Sequence, residues 1–180
     1  MHLVVQHLLF VAAGFLLSYG IDLLFLIGSR YSRGLSRLYS WLLRENAFLN
    51  RRGIAGFTAA ALLTVYWHIP RNFDGAVLEE SVHIQMHLTY IVIGALIFVG
   101  SKLLTRRMRH FALVVAGKAM GIFGAFLLFT RSYVYKAYPA GEQPEAGLAM
   151  VLMMLVMDLV IVPYWLYNYF SKPPPSSVVY

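Results

Sequence analysis

Five long apolar segments follow one another along the chain, separated by short polar connections. A transmembrane helix needs roughly 20 mostly apolar residues to cross about 30 Å of hydrocarbon. The segments are too continuous for strands of a membrane barrel, which alternate in polarity at every second residue. The pattern therefore predicts an all-α integral membrane protein, a bundle of five transmembrane helices forming one domain over residues 1–170. The predicted spans are residues 3–27, 54–69, 82–104, 111–130 and 146–170.

The composition agrees with this pattern and excludes most other classes of protein. Of the 180 residues, 59% are hydrophobic and only 13% are charged, whereas a soluble domain carries about 25% charged residues. Such a chain is too apolar for a disordered protein. It contains no Cys, which excludes a disulfide scaffold and a cysteine zinc site. We expect a multi-pass protein of the cell membrane.

The charges of the connections predict which way the chain crosses the membrane. The first connection, residues 30–52, holds six Arg and one Glu, and the third, residues 102–110, holds four basic residues and no acid. The second and fourth connections contain the remaining loop acids. Because cytoplasmic connections are enriched in Lys and Arg, the N-terminus is predicted outside and the C-terminus, with the tail 171–180, in the cytoplasm. The basic excess then reports orientation, and no nucleic-acid partner is expected.

The first connection also has the pattern of an amphipathic helix. Leu35, Leu38, Trp41 and Leu42 recur at helical spacing, with arginines elsewhere on the turn. This pattern favours a helix that lies on the cytoplasmic leaflet and contacts membrane lipid, its basic side chains toward anionic head groups. The alternative is a simple topology anchor. Asp22, near the end of the first span, is expected to pair with a basic residue of a connection.

Five of the six histidines fall near the outer face on this topology. They are His2, His7, His68, His83 and His87. His83 and His87 are four residues apart, so they share a helix face and can bind one metal together, and Met86 can lean to the same side. Imidazole suits copper, zinc and haem iron, and a thioether favours Cu(I). The alternative is that these histidines only place their polar tips in interfacial water.

Two other interpretations of the outer histidines remain open. His7 and His87 lie at similar depth on different helices, which is what bis-His ligation of haem b requires. The protein could equally be a non-catalytic membrane subunit of a larger respiratory or copper-enzyme complex. No nucleophile or acid–base pair stands near a plausible substrate pocket, so we do not expect an enzyme.

Lys118 and Asp158 are charged residues deep within the fourth and fifth apolar segments. Counted from opposite ends, they reach nearly the same depth, and an unpaired charge there costs several kcal/mol. The pair is therefore predicted inside the bundle, either as a lock between two helices or as a proton or ion relay. Nearby stripes of small residues and methionines predict close helix packing. These are Gly117, Gly121, Gly124, Met150, Met153, Met154 and Met157.

Several short motifs spread over residues 1 to about 160 occur in a recognisable order. They are Gln6-His7-Leu8-Leu9, Trp67-His68-Ile69-Pro70, Phe73-Asp74, Ala76, His83, His87, Tyr135, Tyr138, Glu142-Gln143, Gly147 and Met150. Together they resemble the CtaG family, membrane proteins implicated in the assembly of caa3-type cytochrome c oxidase. Shorter archaeal membrane proteins of unassigned function look similar too.

The resemblance implies a membrane protein that supports delivery of copper to a haem–copper oxidase, with oxidase subunits as partners. By position, His7, His68, His83 and His87 match the presumed metal ligands. The family has a further His four residues before His7, where this chain has Leu3, and His2 is one residue out of register. Where the family often has an acid between the paired histidines, this chain has Met86. Helices that precede the first motif in the family are expected from a partner, unless the protein is a reduced version.

Overall fold

The computed structural model describes residues 2–130, 134–137, 139 and 141–171, except for the side chains of residues 2–4 and 169. All regular structure within these ranges is helical, which confirms the all-α prediction. A short 3-10 turn lies at Arg51–Gly53. The α-helices are α1 (His2–Tyr31), α2 (Arg33–Leu49), α3 (Ile54–His68), α4 (Pro70–Leu78), α5 (Glu80–Ser101), α6 (Arg106–Phe129) and α7 (Glu142–Phe170).

Four of these helices, α1, α5, α6 and α7, are long and apolar enough to cross a membrane. A fifth candidate span consists of α3 and α4, which meet at an angle of 69°. The protein is therefore a multi-pass membrane protein, with four to five candidate spanning helices among the described residues. The outside position of the N-terminus stays a prediction. Of the predicted tail, only Ser171 lies within the described residues.

The bend between α3 and α4 differs from the sequence expectation of a plain polar connection after the second span. Ile69, before Pro70, has φ −65° and ψ 125°, the extended conformation that a following proline imposes. Pro70 then occupies the first turn of α4. Backbone N–H groups in the first turn have no partner within the helix, so the N–H that proline lacks is not needed there. A single proline thus ends one helix and begins the next.

The chain divides into two compact units, residues 1–105 with 133–140 and residues 106–132 with 141–180. In the first unit, α1, α3 and α4 all pack against α5. Transmembrane helices approach closely where small residues remove the side-chain spacer between them. A Cβ on Gly14 would lie 2.0 Å from the Ile91 carbonyl oxygen, and one on Gly94 would lie 2.0 Å from the Val11 carbonyl oxygen. The backbones of α1 and α5 are therefore in direct contact.

The helix α2 is held to the first unit by polar contacts near its middle and its end. The Tyr39 hydroxyl donates a hydrogen bond to Asp22 of α1 at 3.1 Å, and Lys102 forms an ion pair with the same carboxylate. Lys102 is thus the basic partner expected for Asp22. The Asn46 amide donates to the Val99 carbonyl at 3.4 Å. None of the residues of α2 is buried, so its apolar side chains remain exposed.

The second unit contains α6 and α7, which pack lengthwise against each other. Glycines of α6 face methionines of α7 in register. Gly117 lies against Met157, Gly121 against Met154 and Gly124 against Met150. The methionine stripe is a set of packing side chains at these three positions, since each fills the space that a glycine leaves.

Candidate metal centre

The outer histidines of the sequence analysis come from three helices of the first unit. His7 lies on α1, His68 is the last residue of α3, and His83 and His87 lie on α5. The packing of α1 and α3 against α5 brings these helices together. The Gly14 and Gly94 contacts fix the register of α1 on α5 about two turns away from His7 and His87. His2 lies in the first turn of α1, and its side chain is outside the described residues.

The histidine rings form a connected group. The His83 and His87 rings have centroids 4.2 Å apart, as their spacing on α5 predicts. The His7 and His87 rings are 6.4 Å apart, edge to face. His7 is within electrostatic range of His68, His83 and His87. Four of the predicted ligands therefore lie in one region, with His87 between His83 and His7.

Aromatic side chains that sequence reasoning missed pack against two of these rings. His7 stacks on Tyr90 at 4.2 Å with an interplanar angle of 19°, and His87 stacks on Phe10 at 4.1 Å. The signal for Tyr90 was present in the spacing, because it follows His87 by three residues and His83 by seven and so shares their helix face. Phe10 follows His7 by three residues on α1. These stacks fix the orientation of both rings.

Backbone carbonyls orient the other two histidines. His83 Nδ1 lies 3.0 Å from the Ala76 carbonyl oxygen, and His68 Nδ1 lies 2.7 Å from the Thr64 carbonyl oxygen. A carbonyl can only accept a hydrogen bond, so each Nδ1 carries the proton and Nε2 keeps the lone pair. Metal-binding histidines in proteins are commonly held in this way through the second ring nitrogen. Ala76 belongs to α4, so the bent segment positions His83.

Four polar atoms buried in this region find no hydrogen-bond partner among the described residues. They are His7 Nε2, His87 Nε2, Trp67 Nε1 and the Tyr90 hydroxyl. Buried polar atoms are nearly always hydrogen-bonded, and an unpartnered one is destabilising by about 1–3 kcal/mol. Two of these atoms belong to the neighbouring imidazoles of His7 and His87.

Residues 134–137 pack over the bent segment beside the histidines. The Tyr135 hydroxyl donates to the His68 carbonyl at 2.9 Å, and the Tyr135 ring packs on Phe73 at 4.4 Å. Asp74 accepts hydrogen bonds from the backbone N–H groups of Lys136 at 3.2 Å and Ala137 at 3.1 Å. Burial and the nearby Asp74 charge raise the pKa of Tyr135, so its phenol remains a donor at neutral pH.

These contacts explain several of the motif residues. Phe73 and Ala76 are both buried on α4, Asp74 anchors residues 134–137, and Tyr135 bonds to the carbonyl of His68. These four motif residues therefore support the helices that carry the histidines, and this packing role alone accounts for their presence. Tyr138 lies outside the described residues.

The histidine region does not form a closed set of metal ligands. Within the described part of the chain, no three His, Asp or Glu side chains are arranged so that they could hold one metal ion. Met86 is fully buried in the core with Trp67 and Tyr90, so its packing role is evident and its predicted role as a ligand stays a prediction.

Lys118 and Asp158 form an ion pair between α6 and α7. The Lys118 side chain is 49% exposed and that of Asp158 is 28% exposed. The expected position of the pair inside the bundle stays a prediction. Depth along a helix can be counted from the sequence, whereas the side of the helix that each residue occupies depends on how the helices pack.

No curated protein matches the chain, and no solved structure matches it. One family model, described as cytochrome c oxidase caa3 assembly factor, matches residues 1–171. The match includes the histidines of α1, α3 and α5, the bent segment and both helices of the second unit. The chain therefore belongs to the caa3-type cytochrome c oxidase assembly factor family, also called Caa3_CtaG.

Proposed function

We propose that the protein supports assembly of a haem–copper respiratory oxidase by holding a copper ion, as cargo, at His7, His83 and His87. The observation that carries the proposal is the pair of buried, unpartnered Nε2 atoms on His7 and His87, with the His83 ring 4.2 Å from His87. Membership of the assembly factor family supports the oxidase as the destination. The role we infer is non-catalytic, and oxidase subunits are the partners.

The chemistry of these side chains suits a copper ion that has to be released again. Neutral imidazole binds both oxidation states of copper, and without thiolate ligands the site avoids the strongest attachment to Cu(I). The His7 and His87 rings are held in aromatic stacks, so small ring rotations are needed before their nitrogens converge. Ligands that require such a rearrangement bind less tightly than a preformed set. His68 and Met86 are further candidates, and His2 remains a prediction from the sequence.

The haem alternative is disfavoured by the packing of α1 on α5. A porphyrin between His7 and His87 needs the two helices to be spread around it. Their backbones instead touch at Gly14 and Gly94, about 10 Å further along each helix at 1.5 Å per residue. The other alternative, a subunit of a larger membrane complex, shares with our proposal the need for a protein partner.

The test is a copper titration of the detergent-purified protein against a competing chelator, with a visible absorption spectrum. We expect the wild type to bind copper stoichiometrically and His83→Ala/His87→Ala to lose more than about 100-fold in affinity, because changes even to residues that only orient ligands cost 10–100-fold. His110→Ala is the matched control, since His110 lies on α6 and bonds only its own helix at the Arg106 carbonyl. It should bind copper like the wild type.

Cells that carry the same variants test the destination of the copper. The double variant should lower the copper content and activity of the oxidase, and His110→Ala should leave both unchanged. Normal oxidase copper in the double variant would refute the proposal. A Soret band in protein purified from haem-replete cells, if it is lost in His87→Ala, would show that the bound group is haem and would refute copper.

A further inference from the structure

An open groove lies where α2 ends and α3 begins, in a part of the first unit that contains none of the histidines. Its volume is about 660 Å³. The lining combines apolar side chains with the two arginines of the 3-10 turn, and includes Leu49, Arg51, Arg52, Ala55, Ala59 and Leu62. Positions 55, 59 and 62 recur at helical spacing, so they form a continuous apolar strip along α3. The groove is therefore basic at one end and apolar along its length.

The turn that carries the two arginines is held rigidly. Gly53 has φ 76°, and a Cβ there would lie 2.4 Å from the Gly100 carbonyl oxygen, so the turn is pressed against α5. Asn50 is buried and accepts the N–H of Gly56 through its side chain at 2.8 Å. Arg52 itself has φ 57°, a conformation that residues with a Cβ seldom adopt. A side chain kept at a position that suits glycine points to a use for its guanidinium group.

Neither arginine forms an ion pair with another of the described residues. Arg51 and Arg52 are exposed, and the ion pairs of the described residues involve other side chains. Both arginines stand at the start of α3, where the helix dipole also contributes positive potential. The head of the groove therefore combines three sources of positive potential with donors suited to phosphate oxygens.

We propose that this groove binds an anionic phospholipid, with the phosphate between Arg51 and Arg52 and an acyl chain along the Ala55–Leu62 strip. The apolar strip distinguishes a lipid from free phosphate. An inorganic anion gains no binding energy from the mostly aliphatic lining of a groove of about 660 Å³, whereas an acyl chain does. The neighbouring helix α2 exposes Phe48 and Leu49 at 80% and 71%, which places the head of the groove at the membrane surface. The charge of this connection predicts the cytoplasmic leaflet.

Native mass spectrometry of the full-length protein in detergent tests the proposal, with phosphatidylglycerol and phosphatidylcholine of identical acyl chains as probes. The wild type should retain phosphatidylglycerol in preference to phosphatidylcholine. Arg51→Gln/Arg52→Gln should lower its retention about tenfold or more, since a lost charge-assisted contact is worth at least that factor. Arg106→Gln/Arg109→Gln removes the same charge from exposed positions at the start of α6 and should leave retention near that of the wild type.

Two further measurements separate the lipid from simpler explanations. Thr58 also lines the groove and is exposed, so Thr58→Phe should fill the groove and lower retention while both arginines remain. Glycerol phosphate, which has the head-group chemistry without acyl chains, should fail to displace the lipid. The proposal would be overturned if the wild type retained the two lipids equally. It would also be overturned by an equal loss in the Arg106/Arg109 control or by displacement with glycerol phosphate.

Discussion

Two helix pairs in this protein use glycine in different ways. Between α1 and α5, Gly14 and Gly94 each bring backbone against backbone. Between α6 and α7, the contact is mixed: Gly124 and Gly147 meet across the two backbones, whereas Gly117 and Gly121 receive methionine side chains, which are flexible and adapt to irregular space. The first pair carries His7 and His87, whose orientation depends on the register of the two helices. The second pair carries the ion pair of Lys118 and Asp158.

The difference indicates where rigidity matters in the molecule. Close backbone contact leaves little room for α1 and α5 to shift against each other, whereas the methionines at Gly117 and Gly121 tolerate small shifts. The contact of α1 with α5 lies about two turns from His7 and His87 on the same two helices, and a displacement of about 1 Å changes what a side chain can bind. We therefore expect substitution at Gly94 to have a large effect and substitution at Gly117 to have a small one.

The largest effect is expected for Gly94→Val. The first carbon of the new side chain would lie 2.0 Å from the Val11 carbonyl oxygen, so α1 and α5 must separate. Overpacking a core costs typically 1–3 kcal/mol and occasionally more, and a clash with backbone should reach about 3 kcal/mol or beyond. The melting temperature of the purified protein should fall steeply, and copper binding should be lost with it.

Gly20→Ala is the control for this substitution, because it lies on the same helix as Gly14 and a Cβ there meets nothing within 4 Å. It should melt at or slightly above the wild-type temperature, since alanine favours a helix more than glycine does. If Gly94→Val were as stable as Gly20→Ala, the direct contact of α1 with α5 would be wrong.

An intermediate effect is expected when one member of the Lys118–Asp158 pair is removed. Asp158→Leu leaves a lysine unpaired on an apolar helix, and a charge at the centre of a membrane helix costs about 2.5–3.5 kcal/mol on insertion scales. The double change Lys118→Met/Asp158→Leu removes both charges and should recover most of the lost stability, as replacement of ion pairs by apolar residues often does. Thermal unfolding of the two variants in lipid nanodiscs measures the difference.

This prediction also distinguishes the two roles open to the pair. Recovered stability together with normal oxidase assembly in cells means that the pair only joins two helices. Recovered stability with failed assembly means that the charges serve a relay or contact a partner. A double variant less stable than Asp158→Leu would contradict the assumption that the unpaired lysine is the cause of the loss.

The smallest effect is expected for Gly117→Ala on α6. The new Cβ would lie 3.0 Å from Met157 Cε and 3.2 Å from its Sδ, so only the flexible end of the methionine has to move. We expect a loss of about 1 kcal/mol, at the low end of overpacking. Met157→Ala in the same chain removes both atoms and should relieve the contact, and chemical unfolding should then show a double variant no worse than Met157→Ala alone. If the free energy of unfolding fell as much as in Gly94→Val, the proposed difference between backbone contact and methionine contact would be wrong.

Much of this fold could be predicted because its helices are encoded locally. The long apolar runs, the break at Pro70 and the shared face of His83 and His87 all follow from neighbouring residues and helical spacing. The family resemblance also rested on local motifs and is confirmed by the match over residues 1–171. The helix α4 was missed because its polar side chains suggested a connection, although Pro70 is a favourable first residue for a helix.

The arrangement of side chains around the histidines could not be predicted in the same way. Both lipid and a neighbouring helix are apolar, so the sequence of a span does not reveal which face contacts protein. That choice of face determines that His7 stacks on Tyr90 and that His87 stacks on Phe10. It also determines how far the Lys118 side chain is exposed. Spacing placed the four histidines at similar depth, but only packing determines how their rings are turned.

The shortness of α3 has a consequence for the surrounding bilayer. With 15 residues, α3 is about 22 Å long, and α4 turns away from its axis by 69°. The hydrocarbon layer is about 30 Å thick, so lipids next to α3 face a hydrophobic mismatch and the bilayer thins locally to match it. The dielectric barrier is lowest where the layer is thinnest. His68, the last residue of α3, lies where this thinning is expected, so in the copper-holding role that we propose an ion from the water would reach the histidines there through the thinnest hydrocarbon layer.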